Sequence, residues 1–180
     1  GQLLIAMPAL KDSFFERAVI LVCAHSEEGA FGFTLTRKAD INFTSFVDKI
    51  VNPSGRLKNQ TINTGYQPIV YEGGPVEQTK GFVVHNENNS DFNSYQILDN
   101  FYVTSSHSAI SSLIDGTGPE KANIMLGYAG WKAGQLEKEI LENSWLTSPS
   151  DNIDLFNPDH IYNYVFQNMG VDQSRLSMSH

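Results

Sequence analysis

The chain has 180 residues, 41% of them hydrophobic, which is enough apolar material for one globular domain with its own core. Its formal charge is −8 and its pI about 5.0. Nucleic-acid binding depends mainly on Lys and Arg displacing counterions, so 12 thinly spread basic residues exclude bulk nucleic acid as the expected partner.

Residues 3–7 read as a first short strand and 18–25 as a second. The second is apolar on both faces, which places it centrally in a sheet. Turn chemistry at Ser26-Glu27-Glu28-Gly29 joins it to a strand over 31–36 as a hairpin. Phe46, Val47, Ile50 and Val51 recur at helical spacing, so an amphipathic helix is predicted from Phe43 to a stop near Asn52-Pro53. The polar stretch 52–68 reads as a loop. Strands are expected at 69–72 and 81–85 around the turn Gly73-Gly74-Pro75, and two more at 95–98 and 101–104. Ser105 or Ser106 is placed to cap a helix running to about Ile114.

The apolar run 123–126 then enters a segment punctuated by Gly127, Gly130 and Gly134, read as a loop, before Leu136 and Ile140 restart a helical pattern. Asn157-Pro158 sets up a last helix with Ile161, Val165, Phe166 and Met169 on its apolar face and Gly170 as its stop. Hairpins mixed with separated helices favour the α+β class, in one domain covering 1–180.

Cys23 is the only cysteine, which rules out an internal disulfide or a multi-cysteine zinc site and fits a reducing, cytoplasmic setting. No apolar run has membrane-spanning length, and 3–7 is too short for a signal-peptide core. No cofactor or metal is expected, since no histidine pair has metal-ligand spacing and no nucleophile elbow occurs.

Three groups of residues are candidates for function. A strand, a glycine turn and a helix start can aim backbone amides at an anion, with Lys132 adding charge and Tyr128 and Trp131 stacking on a flat ligand. The spacing matches neither the dinucleotide fingerprint nor the P-loop, so the same glycines also suit tight packing. The candidate ligand-binding residues are therefore Gly127, Tyr128, Gly130, Trp131, Lys132 and Gly134, joined by Gly73, Gly74 and His85 at a second glycine site. Cys23 and His25 fall two apart in one strand, which puts both on one face. Cys23 is then either a redox-sensitive thiol beside an imidazole or a buried, inert one.

Several segments also carry a family resemblance: L-L-I-A-M-P (3–8), F-F-E-R-A-V (14–19), V-C-A-H-S-E-E-G-A-F-G (22–32), Y-E-G-G-P-V (71–76), G-F-V-V-H (81–85), the glycine-rich block and Asp154-Leu155-Phe156. In this order and dispersed over most of the chain, they resemble the bacterial YqgE/AlgH family. The chain departs from it at Thr36-Arg37-Lys38, where the family usually has Asn-Arg-Pro, and at Asp12-Ser13, where Asp-Pro is usual. The resemblance implies a mixed, mostly antiparallel sheet curled into a partial barrel with helices outside it. It implies no agreed biochemical activity, and some members carry a transcriptional-regulator label that rests on genetic effects.

Three functions stay open at this point. One is a non-enzymatic binding or regulatory protein, holding a small anionic ligand or a protein partner at the glycine-rich segment. The second is an enzyme of unknown reaction using Cys23 and His25, or His85. The third is a transcriptional regulator, acting indirectly because its helices offer few bases to a groove.

Overall fold

The computed structural model describes residues 1–55 and 67–157, with residues 160, 161, 164, 165 and 167 of a final helical stretch. Nine strands lie among the described residues: β1 (Gln2–Ala6), β2 (Val19–Ser26), β3 (Gly29–Thr34), β4 (Val70–Glu72), β5 (Val76–His85), β6 (Tyr95–Leu98), β7 (Phe101–Thr104), β8 (Ala122–Lys132) and β9 (Trp145–Pro149). The α-helices are α1 (Phe43–Phe46), α2 (His107–Asp115) and α3 (Gln135–Leu141). The fold is therefore α+β, as the alternation of hairpins and helices predicts.

The chain forms two compact units, and it passes between them four times. Unit 1 comprises Gly1–Arg37, Gly73–Val76 and Tyr128–His180, and unit 2 comprises Lys38–Glu72 and Glu77–Gly127.

In unit 1 the strand order is β8-β3-β2-β1-β9 and every pairing is antiparallel. Strand β2 is central as expected, with Leu4 opposite Ile20 on one side and Ile20 opposite Thr34 on the other. Its hairpin with β3 closes through Glu27 and Glu28. Leu4, Ala18, Ile20, Val22, Ala129, Trp131, Leu136 and Trp145 form a core on one face of this sheet, with Phe15 and Ile140 packed against it, and Leu3, Leu21 and Phe33 are buried on the other. Burying each large apolar side chain of this set contributes roughly 1.5–3 kcal/mol.

In unit 2 the strand order is β6-β7-β5-β8, and β4 adds to β8 in parallel, with Val70 opposite Ile124. The sheet is thus mixed and mostly antiparallel, and the strand order does not close into a barrel. Asn42 caps α1 by accepting a hydrogen bond from the Ser45 amide. The predicted helix continues through Val47–Val51, but as a π-helical turn. Ser106 caps α2 through the Ser108 amide, and Gly116 ends that helix in the left-handed region. Phe43, Phe46, Val83, Phe92, Ile110, Leu113 and Ile124 belong to this unit's core.

Three expectations need correction. The segment from Gly127 to Lys132 is not a loop but the second half of β8, and the turn into α3 is only Ala133-Gly134. Its residues alternate as strand residues do: Ala129 and Trp131 are buried, while Gly130 and Lys132 are exposed. Gly127 sits mid-strand at φ +70°, a left-handed kink that a residue with a Cβ adopts only under strain. Strand β5 begins at Val76 rather than 81. Strand β9 was not foreseen, because W-L-T-S-P is short and ends in proline; it pairs only with β1 among the described residues. Ile161 and Val165 are buried as the last helix requires. Phe166, Met169, Gly170 and most of the predicted loop 52–68 lie outside the described residues.

Candidate functional site

Trp131 does not offer a stacking surface to a ligand. It is 6% exposed, lies parallel to Phe15 at 6.4 Å between ring centroids and meets Trp145 edge-on at 6.1 Å. Its indole Nε1 donates to Glu139 Oε2 at 2.9 Å, and Trp145 Nε1 donates to the same oxygen at 2.9 Å. Gln135 Nε2 donates to the other carboxylate oxygen, also at 2.9 Å. Glu139 therefore joins α3 to the aromatic core. Two tryptophans 14 positions apart give no sign of a shared acceptor, so periodicity alone could not find it.

The backbone of the glycine-rich segment is committed as well. Gly130 is registered with Phe31, Trp131 with Ala30 and Lys132 with Gly29. The Lys132 amide donates to Gln135 Oε1 at 3.0 Å. Strand pairing aims these groups at neighbouring backbone, so the cradle of free amides expected for an anion does not form here. Gly134, at the turn into α3, has open space around it.

The outward side chains of the same strand end make a different surface. The Tyr128 ring packs against Phe31 at 5.1 Å and lies 3.4 Å from where a Gly130 Cβ would sit. Gly130 and Lys132 are exposed beside it. At the end of β2, His25 Nε2 meets Glu137 Oε1 of α3 at 2.6 Å, with both side chains well exposed at 38% and 48%. Glu137 is held below the ordinary carboxylate range by its own backbone amide first and then by His25. Phe31, which sequence reasoning did not single out, thus joins Tyr128, Gly130 and Lys132 on one face of the sheet, while Glu137 joins His25 on the Trp131 face.

Gly73 and Gly74 serve packing. The Thr34 amide donates to the Gly73 carbonyl at 2.8 Å. A Cβ on Gly74 would fall 1.9 Å from the Tyr128 carbonyl carbon and 2.2 Å from the Ala129 nitrogen, so only glycine fits against β8 there.

Cys23 sits at a bulge in β2, between Val22 opposite Gly32 and Ala24 opposite Phe31. Burial pushes its thiol up to about 12, and its Sγ lies 3.7 Å from the Leu21 carbonyl. His25 is engaged by Glu137, and the thiol is neutral across the physiological range, which is the inert form.

His85 belongs to unit 2 and is fully buried. Its Nδ1 accepts the Glu87 amide at 3.4 Å, which leaves Nε2 to donate to Ser94 Oγ at 2.7 Å. The ring stacks on Tyr102 at 5.6 Å and meets Phe92 edge-on at 5.4 Å. Burial lowers its pKa, against a weaker opposite pull from Glu87. It is a satisfied, neutral core histidine. Among the described residues no three His, Cys, Asp or Glu side chains converge as a metal site.

A model of the family described as AlgH-like (DUF179) matches residues 3–174. The chain is 39% identical to a UPF0301 protein of Sinorhizobium medicae, over 98% of this chain and 89% of the relative. It is 40% identical to a UPF0301 protein of Idiomarina loihiensis, over 98% and 94%. The solution structure of the AlgH protein from Pseudomonas aeruginosa superposes with a TM-score of 0.78 at 33% identity, covering 99% of this chain and 93% of that one. A crystal structure from Corynebacterium diphtheriae shares the fold alone, with a TM-score of 0.65 at 22% identity over 93% and 85%.

Proposed function

The chain belongs to the AlgH-like family, and from that premise we propose that it is a non-enzymatic binding protein of the cytosol with a regulatory role. It engages a protein partner through the outward face at the end of β8. The observation that carries this reading is the split of the glycine-rich strand into two faces. Ala129 and Trp131 are consumed by the core, while half-buried Tyr128 lies with exposed Gly130 and Lys132 on the opposite face beside Phe31; His25 and Glu137 belong to the Trp131 face. A paired strand offers an anion no free amides, but it gives a partner a firm, shallow surface with an aromatic centre and polar surroundings.

The groups that could have carried chemistry support the same choice. The Cys23 thiol stays protonated, and both ring nitrogens of His85 are occupied. The transcriptional role read from the family resemblance is, on this view, indirect and exerted through the partner. No helix among the described residues is long and apolar enough to cross a membrane.

A thermal-shift panel tests the choice between partner and small ligand. A ligand at a hundred times its dissociation constant stabilises a fold by about 2.7 kcal/mol, which moves the melting temperature by several degrees. Nucleotides, phosphorylated metabolites, divalent metals and duplex DNA are expected to leave the transition unmoved. A shift with one anionic class, lost in Lys132→Ala, would replace the partner with a small ligand.

A further inference from the structure

The segment that follows β5 is tied down by a neutral histidine. Residues 86–94 leave β5 at His85 and return to β6, and in between Phe92 drops into the core of unit 2, where it is 4% exposed. Four further hydrogen bonds hold the segment. Thr104 Oγ1 donates to the Phe92 carbonyl at 2.6 Å, and Ser108 Oγ of α2 donates to the Asp91 carbonyl at 2.7 Å. Asn86 exchanges two bonds with Lys121, from its amide to the Lys121 carbonyl at 3.2 Å and from the Lys121 amide to its Oδ1 at 3.1 Å. His85 closes both ends at once: Nδ1 takes the amide of Glu87 at the start, and Nε2 gives its proton to Ser94 at the finish.

This arrangement tolerates one protonation state. A proton added at Nδ1 would confront the Glu87 amide donor with a second donor. It would also leave a full charge in a site of zero exposure, with Tyr102 stacked on the ring and Phe92 perpendicular to it. We propose that residues 86–94 form a lid over the core of unit 2, held shut by neutral His85 and released when that imidazole is protonated.

The neighbouring charges leave this balance in place. Glu87, on the lid itself, favours the imidazolium and works against the latch, but burial acts more strongly in the other direction. The short helical turn Ser90–Phe92 carries Asp91, β7 brings the phenol ring of Tyr102, and Lys121 meets the lid through its backbone. Because the closed state lowers the His85 pKa, the stability of closure is complete above the ordinary histidine value of about 6.5 and is lost as pH falls below it. Opening frees Phe92 and the Asp91 and Ser108 contact at the start of α2, exposing an apolar recess. The lid lies in unit 2 and stands independently of the partner face in unit 1.

Amide hydrogen exchange on the whole chain at pH 7.5 and pH 5.0, corrected for intrinsic rates, tests the lid. The opening equilibrium read at the Glu87, Phe92 and Asn93 amides is expected to increase by up to about 30-fold, the limit set by an open-state pKa of about 6.5. The Val103 and Ile124 amides should hold their protection. His85→Gln, which can still accept from Glu87 and donate to Ser94, is expected to flatten the pH response. Should that variant fail to fold, Ser94→Ala is expected to raise lid exchange several-fold at pH 7.5. Equal protection at both pH values, an equal rise at Ile124, an undiminished response in His85→Gln or unchanged exchange in Ser94→Ala would each overturn the lid.

Discussion

Trp131 Nε1 and Glu139 Oε2 lie 2.9 Å apart, a bond from the end of β8 to the middle of α3 that fixes how the helix packs on its sheet. Trp145 donates to the same oxygen, so one carboxylate satisfies two buried indoles. Glu139→Ala leaves both donors without an acceptor, and hydrogen bonds to a charged group are strong. The variant should lose about 2–4 kcal/mol of stability, with Glu139→Gln losing less. Urea unfolding followed by tryptophan emission checks this, because both indoles report on the site.

Gly74 tests the reading of the second glycine site as packing. With a Cβ position only 1.9 Å from the Tyr128 carbonyl carbon, Gly74→Ala must push backbone apart. A cost of roughly 3 kcal/mol is expected, visible as a lower urea midpoint. Gly134→Ala meets no neighbouring atom, and its penalty comes only from φ +75°, so it should lose about 1 kcal/mol.

Thr34 gives the opposite sign. Among the described residues its hydroxyl has no hydrogen-bond partner, and it is buried on the same side of the sheet as Ile20. Thr34→Val keeps the shape and removes an unsatisfied polar atom, so stability should hold or rise by about 1 kcal/mol. A clear loss in thermal or urea unfolding would mean the hydroxyl is satisfied.

Cys23 reactivity follows from its thiolate fraction. With the thiol pushed up to about 12, little thiolate exists at pH 8, whereas a free cysteine near 8.5 is roughly a quarter ionised. Alkylation of the native chain should therefore run on the order of a thousand-fold slower than in the urea-unfolded chain. Comparable rates in the two states would restore the redox-sensitive reading.

Much of the fold was legible in the residues. The hairpin at Glu27 and Glu28, the strands at 95–98 and 101–104 and the Ser106 cap follow from local chemistry, and each recurs where its turn or capping residues predicted it. What local chemistry could not decide was the state of the glycine-rich segment. Gly127 and Gly130 read as loop punctuation, but the buried pair Ala129 and Trp131 holds that backbone in a strand, so tertiary burial overrode glycine's low strand preference. The site was legible only in part. Tyr128 and Lys132 of the proposed face are suggested by their residue types, whereas Phe31 comes beside them only through strand register spanning about a hundred residues of sequence. His85, offered in sequence as a ligand-binding candidate or reactive group, ends an apolar strand with its ring hydrogen-bonded inside the core.

The most direct test of the partner face is site-specific photo-crosslinking in cells, with a benzophenone amino acid in place of Tyr128 and, as a control, in place of Leu141, which is 83% exposed on α3. A discrete protein adduct at position 128, absent at 141 and lost when Lys132→Glu is added, is the predicted result. No adduct at position 128, or the same adducts at both positions, would contradict a binding face at the end of β8.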